Sequence, residues 1–178
     1  KKLKLELTTL RKDVKTDGRH AEIEYITDWQ EDSNRRDFTI NAIYLDSDGK
    51  IFDPQLGIHD LKKGIVKFIG NPQKRIEEDY LRIIRFIRFS LLYKNEIEKK
   101  IIETIKLNLN GIKKISKERI LIELFKILNT KNFEQLNNNE PLKEIFLLIF
   151  PEFKYFERLN KLNEIKSSNI FDKKIFLS

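Results

Sequence analysis

The sequence contains no cysteine, and among its 178 residues only six are glycine and four are proline. The lack of cysteine excludes disulfides and thiolate metal sites, and it favours a cytoplasmic location. No uninterrupted apolar run is long enough to cross a membrane, so we expect no membrane association. With 35 basic and 28 acidic residues, the net charge of +7 weakly favours a polyanionic partner.

Glycine is concentrated near the start of the chain. Five of the six glycines lie within the first 70 residues, and only Gly111 follows them. The same part alternates apolar and polar residues, which predicts strands at 3–7 and 20–26 and a hairpin of 43–45 with 51–52. Between these strands, Ser33 is predicted to cap a short helix at 36–41.

From Lys74 onward the apolar residues recur at helical spacing. The stripe comprises Ile76, Tyr80, Ile83, Ile84, Ile87 and Leu91. Further helices are predicted at 96–107, 116–128 and 141–150, with Ser116 as a cap and the asparagines at 137–139 as a linker. Together the two parts of the chain predict an α+β fold.

Asp79 and Arg82 form the most informative pair on the predicted helix. Residues three apart lie on one helix face, so the pair presents acceptor atoms beside donor groups. The pairing edges of cytosine and adenine offer an amino donor beside a ring-nitrogen acceptor, whereas uracil and guanine offer the reverse order. The pair can therefore select C and A without a template. The alternative is a surface ion pair that supports the helix by about 0.2–0.5 kcal/mol.

Several short motifs follow one another from Leu5 to about Phe89. They comprise Glu6-Leu7-Thr8-Thr9-Leu10-Arg11, Thr16-Asp17-Gly18-Arg19-His20-Ala21-Glu22, Asp28-Trp29, Arg35-Arg36-Asp37-Phe38-Thr39-Ile40-Asn41-Ala42, Phe52-Asp53-Pro54, Gly57, Asp60-Leu61, Phe68-Ile69-Gly70, Pro72 and Glu78-Asp79-Tyr80-Leu81-Arg82. In this order they resemble the class II (bacterial-type) tRNA nucleotidyltransferases, which are the CCA-adding enzymes, and the related bacterial poly(A) polymerases. Beyond about residue 120 the resemblance is weak.

The resemblance implies a fold and an order of domains. Residues 1–72 are expected to form the C-terminal part of a nucleotidyltransferase head, which is polymerase-β-like and has a mixed sheet. Residues 73–130 are expected to form an all-helical neck that recognises the base through Asp79 and Arg82. Residues 131–178 are expected to begin a helical body.

The resemblance also implies contacts with the rest of the nucleotide. Asp37 is expected to bind the ribose and Arg36 a phosphate, with Arg35 as a further phosphate ligand. Arg85 lies one turn beyond Arg82 and is expected to meet phosphate or the RNA end. The alternatives are an arginine that only pairs with Asp37 and a solvated basic face at Arg85.

Catalysis in this family uses two divalent ions, here expected to be Mg²⁺, held by carboxylates on adjacent strands. Glu6 is expected to be the third of these carboxylates, and its alternative is an exposed strand residue. Asp46-Ser47-Asp48 has the spelling of the family's Asp-x-Asp motif, but it lies in a turn before Gly49 and is excluded. The family's own motif precedes the position of Leu3, so we expect the 178-residue chain to be inactive alone.

The expected function of the intact protein is template-independent addition of C, C and A to the 3′ end of tRNA from CTP and ATP. A bacterial poly(A) polymerase, or an enzyme that adds only A or only CC, remains an alternative of the same class. A non-catalytic RNA-binding protein that retains the fold is an alternative of another class.

Overall fold

Two small antiparallel sheets open the fold of this computed structural model, which describes residues 9–16, 21–93 and 97–155. Strand β1 (Arg11–Thr16) pairs with β2 (Ala21–Tyr25), and β3 (Tyr44–Leu45) pairs with β4 (Ile51–Phe52). The predicted strand at 20–26 and the predicted hairpin are therefore confirmed. The strand predicted at 3–7 lies outside the described residues.

Helices make up most of the remaining structure. The α-helices are α1 (Trp29–Asn34), α2 (Gly57–Lys63), α3 (Pro72–Glu78), α4 (Leu81–Tyr93), α5 (Lys99–Asn108), α6 (Lys117–Leu128) and α7 (Glu140–Ile149). Short 3-10 turns occupy Thr39–Asn41, Leu109–Lys114, Phe133–Asn138 and Pro151–Phe153. The α+β class and the three predicted C-terminal helices are confirmed. No helix in the part of the chain that is described could span a membrane.

The helix predicted at 36–41 with Ser33 as its cap is wrong. Helix α1 begins earlier, where the Asp28 side chain accepts a hydrogen bond from the amide of Gln30 at 2.8 Å. Ser33 lies buried inside this helix and donates its hydroxyl to the carbonyl of Gln30 at 2.7 Å. Phe38 forms an extended bridge with Phe68, so helical backbone cannot continue through it.

The helix that was predicted to carry both Asp79 and Arg82 is interrupted. Helix α3 ends at Glu78, and Asp79 is extended, with φ −153° and ψ 103°. Its carboxylate accepts a hydrogen bond from the amide of Leu81 at 3.1 Å, as an N-cap does at the start of a helix. The Arg82 amide still bonds to the Asp79 carbonyl at 3.0 Å, so the two residues share one turn.

Two predicted details near the C-terminal helices are also corrected. The Ser116 side chain makes no capping hydrogen bond, although Ser116 occupies the position before α6. Asn139 is a helix cap as well as a connector, because its side chain accepts from the amide of Leu142 at 3.2 Å at the start of α7.

One hydrophobic core joins the early segments to the helices. The rings of Phe38 and Phe68 lie 4.9 Å apart between centroids, and both pack against Phe86 of α4. The same core continues to Leu124 of α6 and Phe146 of α7. The aromatic cluster fixes the segment before Phe38 against α4. The division into a head and a neck at residue 72 stays a prediction.

Gly57 is a site where we expect a large cost from a single methyl group. A Cβ atom there would lie 2.2 Å from the carbonyl oxygen of Thr39, which is backbone and cannot rotate away. We expect Gly57→Ala to lower the free energy of unfolding by about 2–3 kcal/mol through overpacking. Urea titration followed by circular dichroism measures the change.

Gly49→Ala is the matched control. Gly49 has φ +81°, and an added Cβ would have no atom within 4 Å. Only left-handed backbone strain remains there, at a cost of about 1–2 kcal/mol. If Gly57→Ala were as stable as Gly49→Ala or more so, the close approach of Gly57 to the Thr39 carbonyl would be contradicted.

Candidate nucleotide-binding site

The turn between α3 and α4 lies directly against the Arg35-Arg36-Asp37 segment. The guanidinium of Arg75 donates to the carbonyl of Arg36, and Nη2 of Arg82 makes a longer contact of 3.5 Å with the carbonyl of Arg35. Arg85 Nε donates to Asp37 Oδ2 at 2.6 Å. The two sequence motifs, more than 35 residues apart, therefore form one surface.

Asp79 and Arg82 do not form an ion pair with each other, because each has its own partners. Asp79 Oδ2 accepts from Nη2 of Arg119 at 2.7 Å, while Oδ1 caps α4. Arg82 Nη1 donates to the Arg75 carbonyl at 2.6 Å and to the Glu78 carboxylate at 2.7 Å. Both side chains are partly accessible, at 22% and 14% of their surface. They are held in place but remain within reach of a ligand.

Asp37 is a buried carboxylate with three donors. Its oxygens accept from the Phe38 amide at 2.9 Å, from Asn41 Nδ2 at 2.8 Å and from Arg85 at 2.6 Å. Burial raises the pKa of Asp37, but the charge of Arg85 and these hydrogen bonds outweigh it and hold the pKa below its usual range. Arg85 is therefore the arginine that pairs with Asp37. It lies one turn beyond Arg82 on α4, and from there its side chain reaches the Asp37 carboxylate.

The partner of Arg35 and Arg36 is Asp32, which the sequence did not single out. Asp32 is fully buried, and Arg35 and Arg36 reach it at 2.6 and 2.9 Å. The Arg11 amide and the Tyr44 hydroxyl also donate to it, at 3.1 and 2.8 Å. Burial raises the pKa of Asp32, but these donors outweigh it and lower the pKa to about 2. Burial and the bond to Asp32 raise the pKa of Tyr44 to about 12.

Helix α6 contributes two further residues that the sequence did not assign. Arg119 bonds to Asp79, and Glu123, one turn later on α6, is almost fully buried. Glu123 Oε2 accepts from Arg88 Nε at 2.8 Å, and Glu123 Oε1 lies 3.9 Å from Nη1 of Arg85. One signal in the sequence could have indicated these residues. Glu123 interrupts the apolar residues of α6 and lies four residues after Arg119, so the two share one helix face.

The expected metal ligand Glu6 lies outside the described residues. Within the ranges that are described, no group of three or more histidine or acidic side chains could hold a metal ion. Asp46 has a structural role instead, since its carboxylate accepts from the amides of Asp48 and Lys50 at 3.0 and 2.7 Å and stabilises the hairpin turn.

Two family models match this chain. One, described as "Poly A polymerase head domain", matches residues 1–67, and the other, described as "Probable RNA and SrmB- binding site of polymerase A", matches residues 96–156. Together they cover most of the chain, on both sides of the turn that holds Asp79.

Individual relatives point the same way. The chain is 50% identical over 129 residues to the CCA tRNA nucleotidyltransferase 1, mitochondrial, of Homo sapiens, covering 69% of this chain and 29% of the relative. It is 34% identical over 175 residues to the CCA-adding enzyme of Staphylococcus aureus (strain Newman), covering 97% of this chain and 42% of that enzyme. The chain thus spans less than half the length of these two curated relatives.

A solved structure agrees with the sequence relatives. The Bacillus stearothermophilus CCA-adding enzyme in complex with CTP superposes with a TM-score of 0.62 at 31% identity, covering 70% of this chain and 30% of that one. The chain therefore belongs to the family of nucleotidyltransferases that comprises the CCA-adding enzymes and the related poly(A) polymerases.

Proposed function

We propose that this chain supplies the nucleotide-recognition part of an enzyme that adds C, C and A to the 3′ end of tRNA from CTP and ATP. The observation that carries the proposal is the contact between the Asp79–Arg82 turn and the Arg35-Arg36-Asp37 segment. Groups that read a base and groups that hold its triphosphate must face one nucleotide, and this contact brings them together. The human relative is named for tRNA and the bacterial structure contains CTP, which supports the same substrates here.

The side chains have complementary roles in this proposal. Asp79 accepts from the amino group of cytosine or adenine, and Arg82 donates to the neighbouring ring nitrogen. Asp37 accepts from a ribose hydroxyl, and Arg35 and Arg36 bind phosphate oxygens, for which guanidinium groups are well suited. Arg85 holds Asp37 in place at 2.6 Å, and its 30% exposed side chain remains accessible to phosphate or the RNA end.

The reaction itself is attack of the terminal RNA hydroxyl on the α-phosphate, with pyrophosphate leaving. The proposal includes two Mg²⁺ ions, which would be held by carboxylates that include Glu6. These ions would stabilise the negative charge that develops on the phosphate oxygens during the reaction. The described residues do not form such a site, so the roles assigned to this chain's residues are those of recognition. A cytoplasmic location likewise stays a prediction.

We expect the chain to bind CTP and ATP at least about tenfold more tightly than UTP and GTP, since a mismatched edge leaves both Asp79 and Arg82 unpaired. Isothermal titration of the four nucleotides into the 178-residue chain measures this preference. Equal affinity for all four would remove base selection from the proposal. If the chain bound none of the four nucleotides, nucleotide recognition by this chain would be excluded.

Incorporation separates the rival functions. The intact protein that carries this chain is incubated with Mg²⁺, labelled CTP or ATP, and tRNA that lacks its terminal CCA. Addition of both C and A supports the proposal. Long A tails indicate a poly(A) polymerase instead, and no incorporation indicates an RNA-binding protein that retains the fold.

A further inference from the structure

Asp32 makes more hydrogen bonds than any of the expected nucleotide-binding residues. Its Oδ1 accepts from the Arg11 amide and from Nε and Nη2 of Arg35, at 3.1, 2.8 and 2.6 Å. Its Oδ2 accepts from Nε and Nη2 of Arg36 and from the Tyr44 hydroxyl, at 3.1, 2.9 and 2.8 Å. Each carboxylate oxygen thus meets one guanidinium through two donors.

This geometry fixes the direction of both arginines. Each guanidinium turns its Nε–Nη2 edge toward Asp32, so these bonds do not use Nη1 of either residue. Arg35 Nε also donates to the Arg11 carbonyl at 2.9 Å, which anchors it to β1. An arginine side chain has many rotamers, and an arginine that is ordered in advance loses less rotamer entropy when it binds a ligand.

The cluster also keeps a surplus of positive charge. One buried carboxylate serves two cations, so Asp32, Arg35 and Arg36 together carry one net positive charge. The Arg36 side chain is 33% exposed and that of Arg35 is 15% exposed, whereas Asp32 is closed to solvent. The tie between β1 and α1 is made by the Arg11 amide, which donates to Asp32, and by Arg35, which donates to the Arg11 carbonyl. Arg36 takes no part in these two bonds, and its side chain is the more exposed of the two arginines.

We propose that Asp32 is a positioning residue for triphosphate binding, which sets the guanidinium groups of Arg35 and Arg36 in the orientation that receives phosphate oxygens. This inference rests on the proposed nucleotide-binding function. It assigns Asp32 no contact with the substrate: the carboxylate acts only through the two arginines, and it balances their charge without neutralising it.

The test compares Asp32→Asn with the unchanged chain. The amide has nearly the same shape but no charge, and its NH₂ group faces a guanidinium that has only donors. We expect CTP and ATP to bind about tenfold more weakly, because both arginines lose their charged partner and the one that faces the NH₂ group also loses its acceptor. The preference for CTP and ATP over UTP and GTP should remain, because Asp79 and Arg82 are not part of this cluster. Titration calorimetry with all four nucleotides gives both quantities.

A double-variant cycle distinguishes positioning from general damage. If Asp32 acts through Arg36, Asp32→Asn should weaken CTP binding much less in an Arg36→Ala background than in the unchanged chain. Equal effects in the two backgrounds would overturn action through Arg36. Joint loss of affinity and base preference in Asp32→Asn would indicate structural damage and would also overturn the inference.

Arg36→Lys keeps the inference testable if Asp32→Asn does not fold. Lysine retains the charge but cannot present two donors from one rigid edge. We expect CTP to bind about fivefold more weakly to this variant if the preset geometry matters. Affinity equal to that of the unchanged chain would overturn the inference. If the unchanged chain binds no triphosphate or binds all four alike, the proposed function itself fails, whatever the Asp32 variants do.

Discussion

Arg82→Ala is expected to remove the choice among the four nucleotides while leaving triphosphate binding largely intact. In the proposed function, the guanidinium donates to the ring nitrogen of cytosine or adenine, and it is held by the Arg75 carbonyl and by Glu78. A matched base contact is worth about 1–3 kcal/mol of discrimination, so the preference for CTP over UTP should fall roughly 10- to 100-fold. Asp79→Ala should have the same effect through loss of the acceptor.

Asp79→Asn separates base reading from helix capping. Asparagine caps a helix about as well as aspartate, so the bond to the Leu81 amide can persist. The loss of stability should then be limited to the partly exposed ion pair with Arg119, at about 1 kcal/mol or less. The amide can present either its oxygen or its NH₂ to the base, so UTP and GTP should gain affinity relative to CTP and ATP. Lys74→Ala, at an exposed lysine of α3, is the control and should leave the preference unchanged.

The measurement is the dissociation constant of each of the four nucleotides by titration calorimetry. In the intact protein, the rate of wrong-nucleotide incorporation gives the same information. An unchanged preference in both the Asp79 and Arg82 variants would remove the base-reading role from this turn.

The order of elements and the family could be predicted because both depend on local patterns. The hairpin with Asp46 in its turn and the helices near the C-terminus follow from the period of apolar residues and from turn chemistry. The break between α3 and α4 does not. No glycine or proline marks it, and the second oxygen of Asp79 is held by Arg119, 40 residues away. Local periodicity carries no information about such a partner.

The partners of the charged residues were the least predictable part of the site. When several arginines lie near an aspartate in the sequence, the sequence does not reveal which of them pairs with it in the fold. Asp37 pairs with Arg85, 48 residues later, because the aromatic contacts of Phe38 fix this segment against α4. Asp32, three and four residues before Arg35 and Arg36, then takes both of those arginines. The spacing was visible in the sequence, but the burial that makes it important was not.

Glu123→Ala is expected to cause the largest loss of stability. Glu123 is 3% exposed and accepts from Arg88, whose side chain is itself 17% exposed, while Lys126 reaches the other oxygen at 2.7 Å. Removing one partner of a buried pair leaves an uncompensated charge and costs about 3–5 kcal/mol. Because Arg88 also lies over the Phe89 ring, with its guanidinium carbon 4.1 Å from the ring centroid, it cannot turn to solvent without losing that contact. We expect a loss of roughly 3 kcal/mol in the free energy of unfolding.

Two further variants define the cause of this loss. Glu123→Gln keeps an oxygen for Arg88 and should cost less than the alanine variant. Glu144→Ala removes an exposed ion pair with Lys106, in which the side chains are 54% and 38% exposed, and should change stability by less than about 1 kcal/mol.

Urea unfolding of the three variants, followed by circular dichroism, compares their free energies of unfolding directly. If Glu123→Ala were no less stable than Glu144→Ala, the α4–α6 contact would not depend on this carboxylate. If it is less stable, the contact between α4 and α6 depends on this carboxylate, which accepts from Arg88 at 2.8 Å.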